Sequence, residues 1–129
     1  MSQVQTALAF DFGVRRVGVA TGSRFTGTAE PLKSITADGT ARFAAIEKLV
    51  KEWQPEALVV GVPFHPDGAE HEITQKARNF GRSLSGRFHL PVFEVDERYT
   101  SVEAESYGAK DVDSTAAALI LEQFFRENQ

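Results

Sequence analysis

The sequence predicts an α/β fold, a mixed β-sheet that opens with a three-strand antiparallel meander, continues with parallel strands and carries helices on both faces. Three observations point there. The first 35 residues hold three strand-like segments separated by short turns. The segments that follow alternate between helical spacing and short, continuous apolar runs. The chain then closes on "DSTAAALILEQFF" (113–125), which is too apolar to face water on most of its sides. Strands alternating with helices after a meander build a sheet covered on both faces.

"TALAFDF" (6–12) reads as the first strand. "RRVGVATG" (15–22) reads as the second, after a turn at Gly13 and Val14, and "GTAEPLKSI" (27–35) as the third. Their short connections make antiparallel neighbours. Phe43, Ile46, Leu49, Val50 and Trp53 then recur at helical spacing, and Pro55 ends that helix. "EALVVGVP" (56–63) is the continuous apolar run of a buried parallel strand. Ile73, Ala77, Phe80 and Leu84 mark an amphipathic helix, with Lys76, Arg78 and Arg82 largely on its other faces. "LPVFEVDE" (90–97) is a further buried strand, and Thr100 with Glu103 forms a capping box that predicts a helix just after "DER". The predicted order is β-β-β-α-β-α-β-α-α.

The 129 residues make one domain, 1–129, with no repeat or linker, and 42% hydrophobic with 25% charged residues is an ordinary globular composition. Zero cysteines exclude disulfides, thiolate zinc sites and cysteine nucleophiles. The apolar stretches fall short of the ~20 residues of a membrane helix. "MSQVQTALAF" lacks the basic start of a signal peptide, so the expected location is cytoplasmic, with no membrane partner. A net charge of −4 does not favour nucleic acid as a partner and does not exclude it, because a cation-binding acidic site lowers the total and arginines can cluster locally.

Asp11 lies between Phe10 and Phe12 near the end of the first strand, and a bare carboxylate among apolar groups needs a partner. Glu97, beside Asp96, ends the last strand, and Asp113, beside Asp111, opens the last helix. If the first and last strands are neighbours, their carboxyl ends place Asp11 next to Glu97, and ligands of open α/β sheets gather there. Asp113 at the helix start then closes a third side. Three carboxylates in one space require a cation; hard oxygen donors suit Mg²⁺ or Mn²⁺. Two such ions about 3.5–4 Å apart activate water and stabilise the leaving oxygen in phosphodiester cleavage.

Plainer readings stand beside this one. Asp113 alone reads as a helix cap, and Asp96, Glu97 and Arg98 as a polar strand end. For Asp11 the plain reading is weaker, and the three together favour a site. Gly13 and Gly18 serve either as turn and strand punctuation or to let backbone approach a phosphate. Arg15 and Arg16 alternate faces on the second strand, so that one of them points to the site and reaches a phosphate and the other is solvated. His65, His71 and His89 have no ligand-like spacing and read as surface or loop residues.

"FDFGVRRVGVA" (10–20), "VVGVP" (59–63), "DERYTS" (96–101) and "VDSTAAALIL" (112–121) occur in that order. Together they resemble the YqgF-type family of small RNase H-fold proteins, which is associated with pre-16S rRNA processing and with Holliday junction resolution. The resemblance spans nearly the whole chain. It implies an RNase H-like core, a hydrolase acting on phosphodiester bonds, and a catalytic and metal-binding triad mapping onto Asp11, Glu97 and Asp113. It also implies substrate-side roles for Gly13, Arg16, Gly18 and Arg98. The sequence departs from the family at Tyr99 and in a short segment from Val102 to Asp111, before the final aspartate.

The expected partner is therefore nucleic acid, pre-rRNA or branched DNA, handled by a monomer or a weak homodimer. Symmetric resolution of a four-way junction would demand the dimer. "DFGVRRVGVATG" also looks like the phosphate-binding opening of actin-like ATPases and sugar kinases, but those enclose a nucleotide between two such domains. A non-catalytic nucleic-acid-binding module is the remaining alternative, and the presence of all three carboxylates argues against it.

Overall fold

A computed structural model of the chain describes residues 4–64, 68–69, 72–96 and 112–128. Five strands, β1 (Thr6–Phe12), β2 (Val17–Ser23), β3 (Thr28–Ile35), β4 (Ala57–Val62) and β5 (Val92–Asp96), form one sheet in the order β3-β2-β1-β4-β5. β1 and β2 pair antiparallel, as do β2 and β3, whereas β4 is parallel to both β1 and β5. The meander followed by parallel strands is as the sequence predicts. The neighbour relation is not, since β4 lies between β1 and β5. The helix expected after "DER" falls outside the described residues.

Helices α1 (Gly39–Trp53) and α2 (Thr74–Phe88) cover one face of the sheet, and α3 (Val112–Glu127) covers the other. The division follows from the period of two along β1. Leu8 and Phe10 point into a core shared with Val17, Val19, Ile46, Leu49, Leu58, Val60, Phe80 and Leu84. Ala7 and Ala9 point the other way, to Val59, Val95 and the α3 residues Ile120, Leu121, Phe124 and Phe125. All six residues of β4 are buried, because that strand is covered from both sides.

Both helices of the first face stop alike. Gln54 after α1 (φ 48°) and His89 after α2 (φ 56°) take the left-handed conformation, and each returns its N–H to a carbonyl of the last turn. Pro55 and Pro91 follow and prevent continuation. β3 is an edge strand with half of its residues exposed, and Pro31 sits at a register shift opposite Ala20. Edge strands and bulges are where a residue without an N–H is tolerated.

The two faces are packed differently. On the α1/α2 face, the Phe80 ring lies 5.9 Å from Phe10, 5.0 Å from Phe12 and 5.9 Å from Phe43. On the α3 face, β2 presents Gly18, Ala20 and Gly22. A Cβ on Gly18 would lie 2.0 Å from the Asp113 carbonyl oxygen, and one on Gly22 would lie 2.8 Å from Leu121 Cδ2. Ala20 clusters with Ala117 and Ala118 between them. Eight helical residues rise ~12 Å and four strand residues ~13 Å, so the helix tracks the strand along this trough.

Candidate active site

Asp11 stands in a row that crosses the whole sheet. Ser34 of β3 pairs with Gly18, Gly18 with Asp11, Asp11 with Gly61 of β4, and Gly61 with Val95 of β5. Directly opposed residues share a face, and this row lies on the α3 side, where Ala9 and Val95 are packed. Asp11 therefore has a glycine on each flank. A larger residue at either position would crowd the carboxylate; here neither neighbouring strand places a side chain beside it. The row lies one residue from the ends of β1 and β4, at the carboxyl edge of the parallel strands.

The first turn of α3 closes over this row. The missing Cβ of Gly18 admits the helix backbone, with the Ser114 nitrogen 2.7 Å from where that carbon would sit. Asp113 is thereby seated above the strand next to Asp11. Its carboxylate accepts a hydrogen bond from the Ser34 hydroxyl at 3.4 Å and an ion pair from Arg16 Nε at 3.0 Å. The helix dipole also favours an anion in this first turn. Asp113 is half-buried, and Arg16, its partner, is exposed.

Arg15 and Arg16 do not alternate on a strand as expected. β2 begins at Val17, so both arginines belong to the four-residue turn after Phe12, and both are exposed there. Gly13 makes the turn possible, since a Cβ on it would be 2.6 Å from the Arg16 carbonyl oxygen. Arg42 steadies the turn from the other face. It is a buried residue of α1 that donates from Nη2 to the Val14 carbonyl at 3.0 Å and from Nε to the Ala37 carbonyl at 3.0 Å, with its guanidinium 5.7 Å from the Phe12 ring centre.

Sequence reasoning passed over Arg42, Ser34 and Gly61. Arg42 carried a signal, since it shares the helical spacing of Ile46 and Leu49. The roles of Ser34 and Gly61 depend on register, which no local pattern reveals. Glu97 and Arg98 lie outside the described residues, as do His65 and His71. Asp96 pairs with Val62 and shares the parity of Glu94, which contacts Arg78 of α2; it is on the face opposite Asp11. His89 is the exposed cap of α2.

Among the described residues no group of three His, Asp or Glu is arranged to hold a metal. Asp11 and Asp113 at one sheet edge do supply hard oxygen donors of the kind Mg²⁺ accepts, which completes its octahedron with water and phosphate oxygens. No helix among the described residues is long and apolar enough to cross a membrane.

Residues 5–127 match the model of the RuvX family, described as Holliday junction resolvase. A protein of Albidiferax ferrireducens provisionally named pre-16S rRNA nuclease is 61% identical over 125 residues, covering 97% of this chain and 80% of its own. A Polaromonas protein of the same name is 59% identical, covering 95% and 89%. Thermus thermophilus RuvC in complex with a Holliday junction substrate superposes with a TM-score of 0.58 at 14% identity, over 95% of this chain and 94% of that one. At that identity the likeness establishes the RNase H-like fold.

Proposed function

The chain belongs to the RuvX family, and on that footing we propose that it is a cytoplasmic, metal-dependent endonuclease whose task is to process the 5′ end of pre-16S rRNA. The observation that carries the reading is the Asp11 row, in which a strand-end carboxylate lies between two glycines and the α3 start with Asp113 is seated over one of them. A purely structural aspartate needs no such clearance. The names of the relatives supply the substrate.

In this reading Asp11 and Asp113 hold the cation. Arg16 and Ser34 orient the Asp113 carboxylate, and Arg16 and Arg15 on the turn stand ready for a phosphate of the substrate. Glu97 is the third carboxylate. That role for Glu97 rests on the family's motif, the position itself lying outside the described residues. Gly61 between β1 and β5 leaves the intervening strand bare on that face. When bound, a pair of Mg²⁺ or Mn²⁺ ions supplies water activation and neutralises the leaving oxygen.

Cleavage of a precursor-rRNA fragment and of a four-way DNA junction, each with Mg²⁺ or Mn²⁺, tests this. Wild type is expected to cut the RNA, and Asp11→Asn to lower the rate about 10³-fold with unchanged thermal unfolding. Undiminished cleavage by the purified variant would remove Asp11 from the chemistry. The family description favours a second reading, junction resolution. Symmetric cuts by a dimer on the DNA junction, without RNA cleavage, would establish that one instead.

A further inference from the structure

Charge is segregated among the helices. α2 carries Lys76, Arg78, Arg82 and Arg87 and no carboxylate, in a chain whose net charge is −4. α1 balances its cations with Glu47 and Glu52, Glu47 pairing with Lys51 at 3.2 Å, and α3 is acidic, with Asp113, Glu122 and Glu127 against Arg126. The buried side of α2 is Thr74, Ala77, Phe80, Gly81 and Leu84, so packing accounts for that side alone.

We propose that the exposed face of α2 is the surface along which the sugar–phosphate backbone of the nucleic-acid substrate lies as it leaves the Asp11 site. The inference rests on the nuclease reading and adds to it the path of the substrate. Placement supports it. The buried Thr74 hydroxyl donates to the Pro63 carbonyl, which pins the start of α2 to the carboxyl end of β4, the edge that holds Gly61 and Asp11. From there exposed Lys76 and Arg82 are separated by ~9 Å of helix rise, and Arg87 lies ~7.5 Å further on.

The neighbours of these cations leave charge to spare. Arg78 is met by Glu94 of β5 at 3.5 Å, and Arg87 lies 4.2 Å over the Phe43 ring, with Glu47 lining the same recess. Among the described residues neither Lys76 nor Arg82 forms an ion pair. Arg82 Nη1 donates to the Asn79 side chain at 2.8 Å, which in turn accepts from Gln75 at 3.1 Å. The rest of the exposed face is small and polar, with Ser83, Ser85 and Gly86, and a Cβ on Gly86 would meet nothing within 4 Å. Like charges gathered on one helix repel unless a counter-charge arrives from outside. A phosphate backbone supplies it, and hydroxyl and amide groups hydrogen-bond the same oxygens.

The test is fluorescence anisotropy of a labelled precursor-rRNA hairpin in EDTA, at several salt concentrations. Lys76→Gln/Arg82→Gln is expected to bind about tenfold more weakly than wild type. Its slope of log K against log salt is expected to be shallower by about 1.4–1.8, with thermal unfolding unchanged. Lys48→Gln on the exposed side of α1 is expected to bind as wild type does. Wild-type affinity and slope in the double variant would overturn the α2 path while leaving the nuclease reading intact. Failure of the wild-type protein to bind either the hairpin or a four-way junction at low salt would overturn both.

Discussion

The two faces of the sheet achieve burial by opposite means, and the difference explains where the carboxylates can be. The α1/α2 face is filled by large side chains, with Phe80 at the centre of a ring cluster. Its helices stand off at side-chain distance. The α3 face is nearly bare along β2, where the helix backbone comes down onto Gly18 and the Leu121 side chain of α3 onto Gly22. The start of α3 is therefore positioned at Gly18 by backbone against backbone, with no flexible side chain between. Asp113 inherits that rigidity, and Asp11 has a glycine rather than a side chain directly opposite it on each neighbouring strand.

Breaking the close face should have the largest effect. Gly18→Ala puts a Cβ where only backbone can yield, so α3 must move with Asp113. We expect a loss of about 3 kcal/mol by chemical denaturation. We also expect about a 10²-fold lower cleavage rate in the protein that remains folded, since small misplacements of reacting groups are that costly. A folded variant cleaving at the wild-type rate would mean that the closeness is not what places Asp113.

The large-side-chain face should respond in stability alone. Phe80→Leu loses ring contacts but keeps an apolar group of similar volume, and about 1.5 kcal/mol of destabilisation is expected. The cleavage rate of the folded protein should stay within about twofold. A rate loss as large as that of Gly18→Ala would erase the distinction between the faces.

The smallest effect has the opposite sign. Gly86, unlike Gly18, faces outward from a helix, and a Cβ there meets nothing within 4 Å. Gly86→Ala should stabilise by about 0.5–1 kcal/mol, read as a raised denaturation midpoint. The contrast with Gly18 separates a glycine kept for space from one that merely tolerates substitution.

By itself the sequence determined the kinds and order of the described elements, and it pointed to carboxylates at strand and helix ends as the candidate site. Periodicity of two in β1, continuous burial in β4, helical spacing in α1 and α2, and the apolar run of α3 are all properties of neighbours along the chain, and each appears in the structure at its expected place. Lengths were less legible. β2 began two residues late, which moved Arg15 and Arg16 from a strand into a turn, because the closure of a hairpin depends on both strands at once. Tertiary structure alone decided the strand order and the register. It inserted β4 between β1 and β5, aligned Ser34, Gly18, Asp11, Gly61 and Val95 into one row, and gave the glycines their meaning. The physical reason is that cross-strand pairing joins residues far apart in the chain, and nothing local distinguishes a glycine that admits a helix backbone from one that only makes a strand bend.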